Sequence, residues 1–170
     1  MGKRKKRKTL VRQAVQRKID DSPSIPRELR ERNQWTCWDE EQSQKVPYNP
    51  TTGRRASCRD PSDWVSYDEA SAAVERNKYD GINFALSEDD PYVGLDLDHC
   101  IEEDQIAPWA KKIVEALNSY TTISRSGTGL RIFIKGKIAG VRRKKGHVEM
   151  YDASKFLSVT ENHLAGTGLY

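Results

Sequence analysis

Two aspartates, Asp96 and Asp98, lie one residue apart in the strand-like run Tyr92–Asp98 and are the residues best suited to chemistry. Side chains alternate along a strand, so the valine and leucines of this run would share one face and the two carboxylates the other, about 7 Å apart. Carboxylates at that spacing can reach one or two divalent metal ions. A strand with one apolar face and two acids on the other therefore predicts a metal site in a cleft.

Glycines and hydroxyl groups form a second candidate site in Ser126-Gly127-Thr128-Gly129, shortly before Arg131. Glycines in a turn let the backbone approach a ligand, and successive backbone amides can bind an anion. Arg131 would lie on the polar face of the next strand, where its planar guanidinium suits a triphosphate. An ordinary hairpin turn is the alternative.

A third candidate is Glu149 in the strand-like segment His147–Asp152. Val148 and Met150 would point to the core, so Glu149 would lie on the opposite face, as the aspartates do on theirs. Its position just after a basic cluster favours a role as a third metal ligand. An ordinary exposed strand glutamate is the alternative.

The net charge of +4 is unevenly distributed. Residues 3–18 carry nine Lys and Arg and no acid, which leaves 20 basic and 25 acidic side chains, or −5, in the rest of the chain. A second basic run holds Arg131, Lys135, Lys137, Arg142, Arg143, Lys144 and Lys145. Such clusters attract polyanions, above all a nucleic-acid backbone. We expect residues 1–24 to be a basic flexible arm, either a solvated tail or a DNA-binding segment, and residues 25–170 to be one domain.

Sequence patterns predict an α+β domain. Strands are expected at Trp35–Trp38, Gly81–Leu86, Tyr92–Asp98, Thr121–Ser124, Leu130–Lys135, Val148–Tyr151 and Phe156–Thr160. Helices are expected at Asp63–Asn77, capped by Ser66, and at Pro108–Tyr120, with Trp109 on its apolar face. The acidic turn at residues 88–91 predicts that its flanking strands pair as a hairpin. Short connections of this kind predict a mixed, largely antiparallel sheet with flanking helices.

Composition excludes several classes of protein. No apolar run approaches the roughly 20 residues of a membrane helix, so no membrane contact is expected. The cysteines form no CxxC pair and predict reduced thiols in a cytoplasmic setting: Cys37, Cys58 and Cys100. The histidines are too scattered along the chain to predict a zinc site: His99, His147 and His163. The tryptophans are expected in the core rather than stacked on bases: Trp35, Trp38 and Trp64.

Asp-x-Asp, then a Ser- and Gly-containing turn followed by His or Arg, then a strand acid, in this order, resembles the three motifs of the archaeo-eukaryotic primase-polymerase superfamily. The resemblance is closer to primase-polymerase-like proteins encoded by phages and plasmids, and it covers roughly residues 30–167. Its segments are Asn33-Gln34-Trp35, Lys45–Asn49 with Thr52-Gly53-Arg54, Asp80-Gly81-Ile82, Val93–Cys100, Ser126–Gly129 and Val148–Asp152, followed by Phe156–Thr160.

The resemblance implies a primase-polymerase catalytic core with an RRM-like sheet. It implies template-directed nucleotidyl transfer, as primer synthesis, DNA polymerisation or both, in the replication of a virus, plasmid or mobile element. By the same resemblance, Asp96, Asp98 and Glu149 would be catalytic and would hold two Mg2+ or Mn2+ ions about 3.5–4 Å apart.

Other residues receive binding roles from the resemblance. The nucleotide would be bound by Ser126, Gly127, Thr128, Gly129, Arg131, Lys45 and Asn49. The backbone of template or primer would be bound by Arg142, Arg143, Lys144 and Lys145. The implied partners are a single-stranded DNA template and primer, nucleoside triphosphates, and a replicative helicase domain or subunit.

The chain departs from the family pattern at two positions. The second motif often ends in His, where this chain has Arg131, which binds phosphate but does not transfer protons. A glycine often follows the family's Phe-x-x-Val-Thr strand, where this chain has Glu161. Relatives are often fused to a helicase-like region, so we expect either a truncated or a stand-alone catalytic module.

Three other functions fit part of the pattern. A phosphohydrolase of the haloacid-dehalogenase type also uses Asp-x-Asp, but it needs a parallel doubly wound sheet and usually has Thr or Val in place of Cys100. A calcium-binding EF-hand requires glycine where this chain has Ile101. A non-catalytic nucleic-acid-binding replication module fits the basic segments. The clustered carboxylates favour an enzyme, because a DNA-binding surface gains nothing from them.

Overall fold

A computed structural model describes residues 25–141, 143–164 and 168. The predicted basic arm, residues 1–24, and Arg142 lie outside these residues. The strands are β1 (Trp35–Glu41), β2 (Gln44–Tyr48), β3 (Gly81–Leu86), β4 (Tyr92–Leu97), β5 (Ile101–Glu102), β6 (Gln105–Ile106), β7 (Thr121–Ile123), β8 (Leu130–Lys135), β9 (Lys144–Lys145), β10 (Val148–Tyr151) and β11 (Lys155–Val159). The helices are α1 (Arg27–Arg30), α2 (Tyr67–Glu75) and α3 (Pro108–Leu117).

The strands are divided between two main antiparallel sheets. The first sheet has the order β11-β3-β1-β2, and the second sheet has the order β7-β8-β4-β10-β9. A separate two-stranded ribbon pairs β5 with β6. The predicted α+β class with largely antiparallel pairing is confirmed, while the chain distributes that pairing over two sheets.

The predicted hairpin between β3 and β4 is wrong, because β3 pairs with β1 and β11 whereas β4 pairs with β8 and β10. Asp90 in the connecting turn explains the difference. Its buried carboxylate accepts hydrogen bonds from the backbone amides of Ser87 (2.9 Å) and Tyr92 (2.7 Å) and from Gln34 Nε2 (2.7 Å). These bonds fix a turn that carries the chain from the first sheet to the second.

β4 is buried on both faces, each in a different core. Its valine and leucines pack against Ala110 and Val114 of α3. On the opposite face, Tyr92 joins the core of the first sheet, and Gly94 packs against leucines of that sheet. Asp96 follows on this same face with only 16% of its side chain exposed. The predicted strand is confirmed, and it ends one residue before Asp98.

α2 begins at Tyr67 because Ser66 and Glu69 form a capping box. The amide of Glu69 donates to Ser66 Oγ (3.2 Å), and the amide of Ser66 donates to Glu69 Oε2 (3.0 Å). This reciprocal pair satisfies two amides that the helix leaves free. The predicted cap is confirmed, and the helix is shorter than predicted.

α3 begins at Pro108, whose missing amide costs nothing in a first turn, and stops at Asn118, which adopts a left-handed φ of 44°. The predicted position of Trp109 on the apolar face is wrong, since 37% of this residue is exposed. The buried stripe runs instead through Ala110 and Val114. Trp109 lies beside that stripe and faces solvent.

Gly94→Ala is expected to destabilise the protein, because a Cβ there would lie 2.7 Å from Leu157 Cδ2 and 2.9 Å from Leu86 Cδ1. Overpacking of this kind lowers the free energy of unfolding by about 1–3 kcal/mol, which urea denaturation measures. Leu157→Ala removes one of the two contacts, so the cost should shrink in that background. Strictly additive costs in the double-mutant cycle would contradict the steric origin.

Candidate nucleotidyl-transfer site

Four charged residues form one row across the second sheet. Asp96 of β4 is the register partner of Arg131 on β8 and of Glu149 on β10, and Glu149 is the partner of Lys144 on β9. Directly opposite residues of antiparallel strands share a face. The row therefore reads Arg131, Asp96, Glu149, Lys144, with two acids between two cations.

Ion pairs join each acid of the row to its outer neighbour. Arg131 Nη1 lies 3.5 Å from Asp96 Oδ1, and Lys144 Nζ lies 2.6 Å from Glu149 Oε1. Tyr151 donates a further hydrogen bond to Glu149 Oε2 (2.7 Å). The hydrogen bonds from Lys144 and Tyr151 hold the pKa of Glu149 below its usual range.

The pKa of Asp96 is shifted in the direction opposite to that of Glu149. Burial raises the pKa of its carboxyl group, the nearby Arg131 opposes that rise, and the charges of Asp98 and Glu149 add to it. Asp98 follows the last residue of β4, and its amide donates to His147 O (2.9 Å), which extends the β4–β10 pairing by one residue. The structure thus brings the three predicted acids within electrostatic reach of one another.

The donor set suits a hard divalent cation, because such ions prefer carboxylate oxygen. Oδ1 of Asp96 is also buried, and within the described residues it accepts no hydrogen bond. The side chains are nevertheless arranged as ion pairs, and the described part of the chain contains no group of three or more His, Cys, Asp or Glu in metal-binding geometry. The acids fit a metal ion by chemistry, and Glu149 would exchange its lysine for the ion.

Lys45 brings the first sheet to this site. Its Nζ lies 3.1 Å from Ser158 Oγ and 4.6 Å from the ring centroid of Trp38. The residue as a whole is exposed, but desolvation of its ammonium group, together with the charge of Arg131, lowers its pKa to about 8. Asp96 opposes this shift, which indicates that the lysine faces the row of charges.

Arg125 is a residue near Lys45 that the sequence interpretation missed. Its guanidinium lies 5.1 Å from the ring centroid of Trp38, and its Nη1 donates to Asp80 O (2.6 Å). Its charge also contributes to the lowered pKa of Lys45. Arg125 directly precedes the glycine-containing segment, and that position was the available signal. Trp38 itself is 2% exposed, which confirms the prediction that it belongs to the core.

The Ser126–Gly129 segment is a tight turn held by its own hydrogen bonds. Gly127 has a φ of +77°, and a Cβ on Gly129 would lie 2.8 Å from a backbone oxygen of β4. The amide of Gly129 donates to Ser124 Oγ (3.0 Å), and the amide of Gly127 donates to Ser124 O (2.9 Å). These two amides therefore already have hydrogen-bond acceptors. The hydroxyl groups of Ser126 and Thr128, both exposed residues of the turn, form a hydrogen bond with each other (2.8 Å).

Asn49 has a structural role in its own loop. Its Oδ1 accepts hydrogen bonds from the amides of Thr51 (2.8 Å) and Thr52 (3.0 Å), and the residue is 5% exposed. This is the Asx-turn geometry that short polar side chains favour. A nucleotide contact by Asn49 stays a prediction.

The predicted DNA-binding cluster is partly engaged within the chain. Arg143 pairs with Asp152 (3.5 Å) and donates to Gly140 O (2.8 Å), and Lys144 pairs with Glu149. Lys145 is exposed on β9, and Arg142 lies outside the described residues. Their contact with a nucleic-acid backbone stays a prediction.

The histidines are less scattered in space than in sequence. The rings of His99 and His147 are 5.9 Å apart, although the two residues are distant in the sequence. His163 is buried elsewhere, beside Tyr120 (5.2 Å). The three cysteines are free thiols, and burial raises the pKa of Cys37 to about 12 and that of Cys100 to about 11.

Comparison with known proteins identifies a phage protein that is similar to this chain. No protein-family profile matches the chain. The chain is 36% identical over 135 residues to the DNA primase-polymerase of Nitratiruptor phage NrS-1, which covers 75% of this chain and 19% of that protein. The chain therefore spans about a fifth of the length of this relative. In the described part of the chain, no helix is long and apolar enough to cross a membrane.

Arg131→Met is expected to destabilise the protein at neutral pH, because it leaves the largely buried Asp96 without its counter-ion. Loss of one partner of such a pair costs about 1–3 kcal/mol in the free energy of unfolding. Since burial raises the folded-state pKa of Asp96, the cost should fall as the pH drops through that pKa and the carboxyl group becomes protonated. Urea denaturation at neutral and acidic pH measures both effects.

The matched control is Arg131→Met combined with Asp96→Asn, which removes both charges. This double variant should recover much of the lost stability, because no uncompensated charge remains. A loss that is the same at every pH and in both variants would contradict the electrostatic origin.

Proposed function

From the primase-polymerase-like relationship of this chain, we propose that it catalyses template-directed nucleotidyl transfer. The reaction would be primer synthesis, DNA polymerisation or both, in the replication of a phage or another mobile element. The observation that carries the proposal is the charge row, in which Asp96 and Glu149 are register partners and Asp98 follows at the strand end. The two sheets would serve as the primase-polymerase catalytic core of a domain spanning residues 25–170.

Asp96, Asp98 and Glu149 would hold two Mg2+ or Mn2+ ions. When bound, such ions would neutralise charge on the triphosphate and lower the pKa of a 3′-hydroxyl group. The chain's own contribution is to keep carboxylates that would repel one another together on adjacent strands. Arg131 and Lys144 supply the compensating charge in the present arrangement.

The cationic side chains would position the triphosphate. Arg131 and Lys45 flank Asp96 from different sheets, so a nucleotide between them would be held from two sides. The hydroxyl groups of Ser126 and Thr128 would add hydrogen bonds. Preorganised donors of this kind stabilise the charge that develops during phosphoryl transfer. The Gly127 and Gly129 amides would join them only after releasing Ser124.

The nucleic acid would run over the basic edge of the second sheet. Arg143, Lys144 and Lys145 would contact the backbone of template or primer, together with Arg142 and the basic arm at residues 1–24. A replicative helicase domain or subunit is the proposed partner, and the phage relative supports a reaction in the host cytoplasm.

A non-catalytic nucleic-acid-binding replication module is the second candidate function. The ion pairs of the charge row favour it, because both Asp96 and Glu149 already have cationic partners. A binding module would hold DNA equally well in the presence of a chelator and would incorporate no nucleotide. An enzyme would incorporate nucleotides only with metal.

Asp96→Ala combined with Asp98→Ala is expected to abolish nucleotide incorporation while the protein stays folded. The measurement is extension on a single-stranded template, with and without primer, in Mg2+ and in Mn2+. Loss of metal ligands removes the charge stabilisation of the reaction. Products without primer would identify a primase, and extension alone would identify a polymerase.

The matched control removes two exposed acids of the β3–β4 turn, Glu88→Ala with Asp89→Ala, and should leave incorporation unchanged. Full activity in the Asp96/Asp98 variant would contradict the assignment of these residues as metal ligands. Absence of incorporation in the wild type, with DNA binding that is insensitive to chelator, would favour the binding module.

Nucleotide affinity is expected to fall as the pH rises through about 8, because Lys45 has a pKa lowered to about 8 and loses its positive charge there. The dependence of KM on pH measures this effect. Lys45→Arg keeps the charge at every pH in that range, so its profile should be flatter than that of the wild type. Identical profiles would exclude a triphosphate contact by Lys45.

A further inference from the structure

Three aromatic rings lie in contact near the end of β4, and we call them the aromatic platform: Trp109, His147 and His99. The indole of Trp109 and the imidazole of His147 are stacked, with centroids 6.2 Å apart and planes at 26°. His147 meets His99 edge to face, with centroids 5.9 Å apart. Within the described residues, Trp109 is one of two large hydrophobic side chains classed as exposed.

The platform borders the acids of the candidate site. His99 directly follows Asp98, and the backbone oxygen of His147 accepts the hydrogen bond from the Asp98 amide (2.9 Å). The three rings come from different parts of the chain: the turn after β4, the β9–β10 hairpin and the start of α3. A ligand on the platform would therefore reach the Asp98 end of the charge row.

Charged residues of both signs lie close in sequence or structure to the platform. Lys145 lies two residues before His147, and Lys112 lies one helical turn after Trp109, and neither forms an ion pair with a described residue. His99 and Pro108, the residue before Trp109, border a cavity of about 480 Å³ that is also lined by Glu102 and Glu103. A polyanion would be attracted by the two lysines and repelled by the glutamates.

We infer that the aromatic platform stacks a base of single-stranded DNA, with the sugar-phosphate backbone running along the side of Lys145 and Lys112. Flat exposed rings beside basic side chains are how proteins hold single strands without reading sequence, since every base has a face to stack. This inference rests on the proposed function, because it assigns a contact of the strand that the candidate site would copy or extend. It gives Trp109 a role that its helix does not require.

The test is the affinity of the full chain for a labelled thymidine oligonucleotide, measured by fluorescence anisotropy with chelator present. Trp109→Ala should weaken binding roughly tenfold, whereas Trp109→Phe should retain most of the affinity. The salt dependence should not change, because no phosphate contact is lost. Lys145→Ala should show the converse, with the slope of log affinity against log salt reduced by about one.

An abasic oligonucleotide of the same length isolates the stacking contribution. The wild type should bind it more weakly than the thymidine strand, and Trp109→Ala should bind both about equally. Val141→Ala, which trims the other exposed hydrophobic side chain, 94% exposed, is the matched control and should change nothing. Thermal unfolding verifies that each variant is folded.

Wild-type affinity in Trp109→Ala, or an equal loss for both oligonucleotides, would overturn the platform. The outcome is separable from that of the proposed function, because binding is measured without metal or nucleotide. If the chain incorporates no nucleotide but shows the stacking signature, the proposed reaction is contradicted and the aromatic platform is supported. Nucleotide incorporation by the wild type, with an unaltered DNA affinity in Trp109→Ala, would support the proposed reaction and contradict the aromatic platform.

Discussion

The candidate site depends on the register of β4 between β8 and β10. That register makes Asp96 the partner of both Arg131 and Glu149, so three charged side chains meet on one face although they are far apart in sequence. A shift by one residue would turn the acids toward α3 and the leucines toward the cleft. The apolar face of β4, which packs against Ala110 and Val114, opposes such a shift. Core packing on one face therefore fixes the chemistry on the other.

The row of charges also explains how acids can lie together in a largely buried place. Burial of Asp96 and the neighbouring carboxylates disfavour its ionised form, while Arg131 favours it. Glu149 accepts hydrogen bonds from two donors and has a lowered pKa. The two acids thus differ in how tightly they hold a proton, because Glu149 accepts hydrogen bonds from Lys144 and Tyr151 whereas Asp96 has the charges of two acids beside it.

Local patterns predicted the elements better than their partners. Alternation identified β3, β4, β8 and β10, and the Ser66 and Glu69 pair identified the start of α2. The same alternation placed Asp96, Arg131 and Glu149 on polar faces, because the periodicity of a strand is a local property. Pairing is not a local property. The turn at Asp90 looks like a hairpin in sequence, but its carboxylate is bound by Gln34, a residue 56 positions away. For the same reason, the contacts of Trp38 with Lys45 and Arg125 form only after distant segments have packed together.

Lys45 lies on the first sheet, and the acids lie on the second sheet. Among the described residues, no strand pairing joins these two sheets. The two sheets are in contact where Gly94 of β4 lies against the side chains of Leu157 and Leu86 of the first sheet. Apolar side chains fill the space between the sheet that carries Lys45 and the sheet that carries the acids. The spacing of the two sheets at this contact consequently depends on the size of apolar residues that have no proposed contact with a ligand. A methyl group added at Gly94 would lie 2.7 Å from Leu157 and 2.9 Å from Leu86, so the packing between the sheets would have to shift.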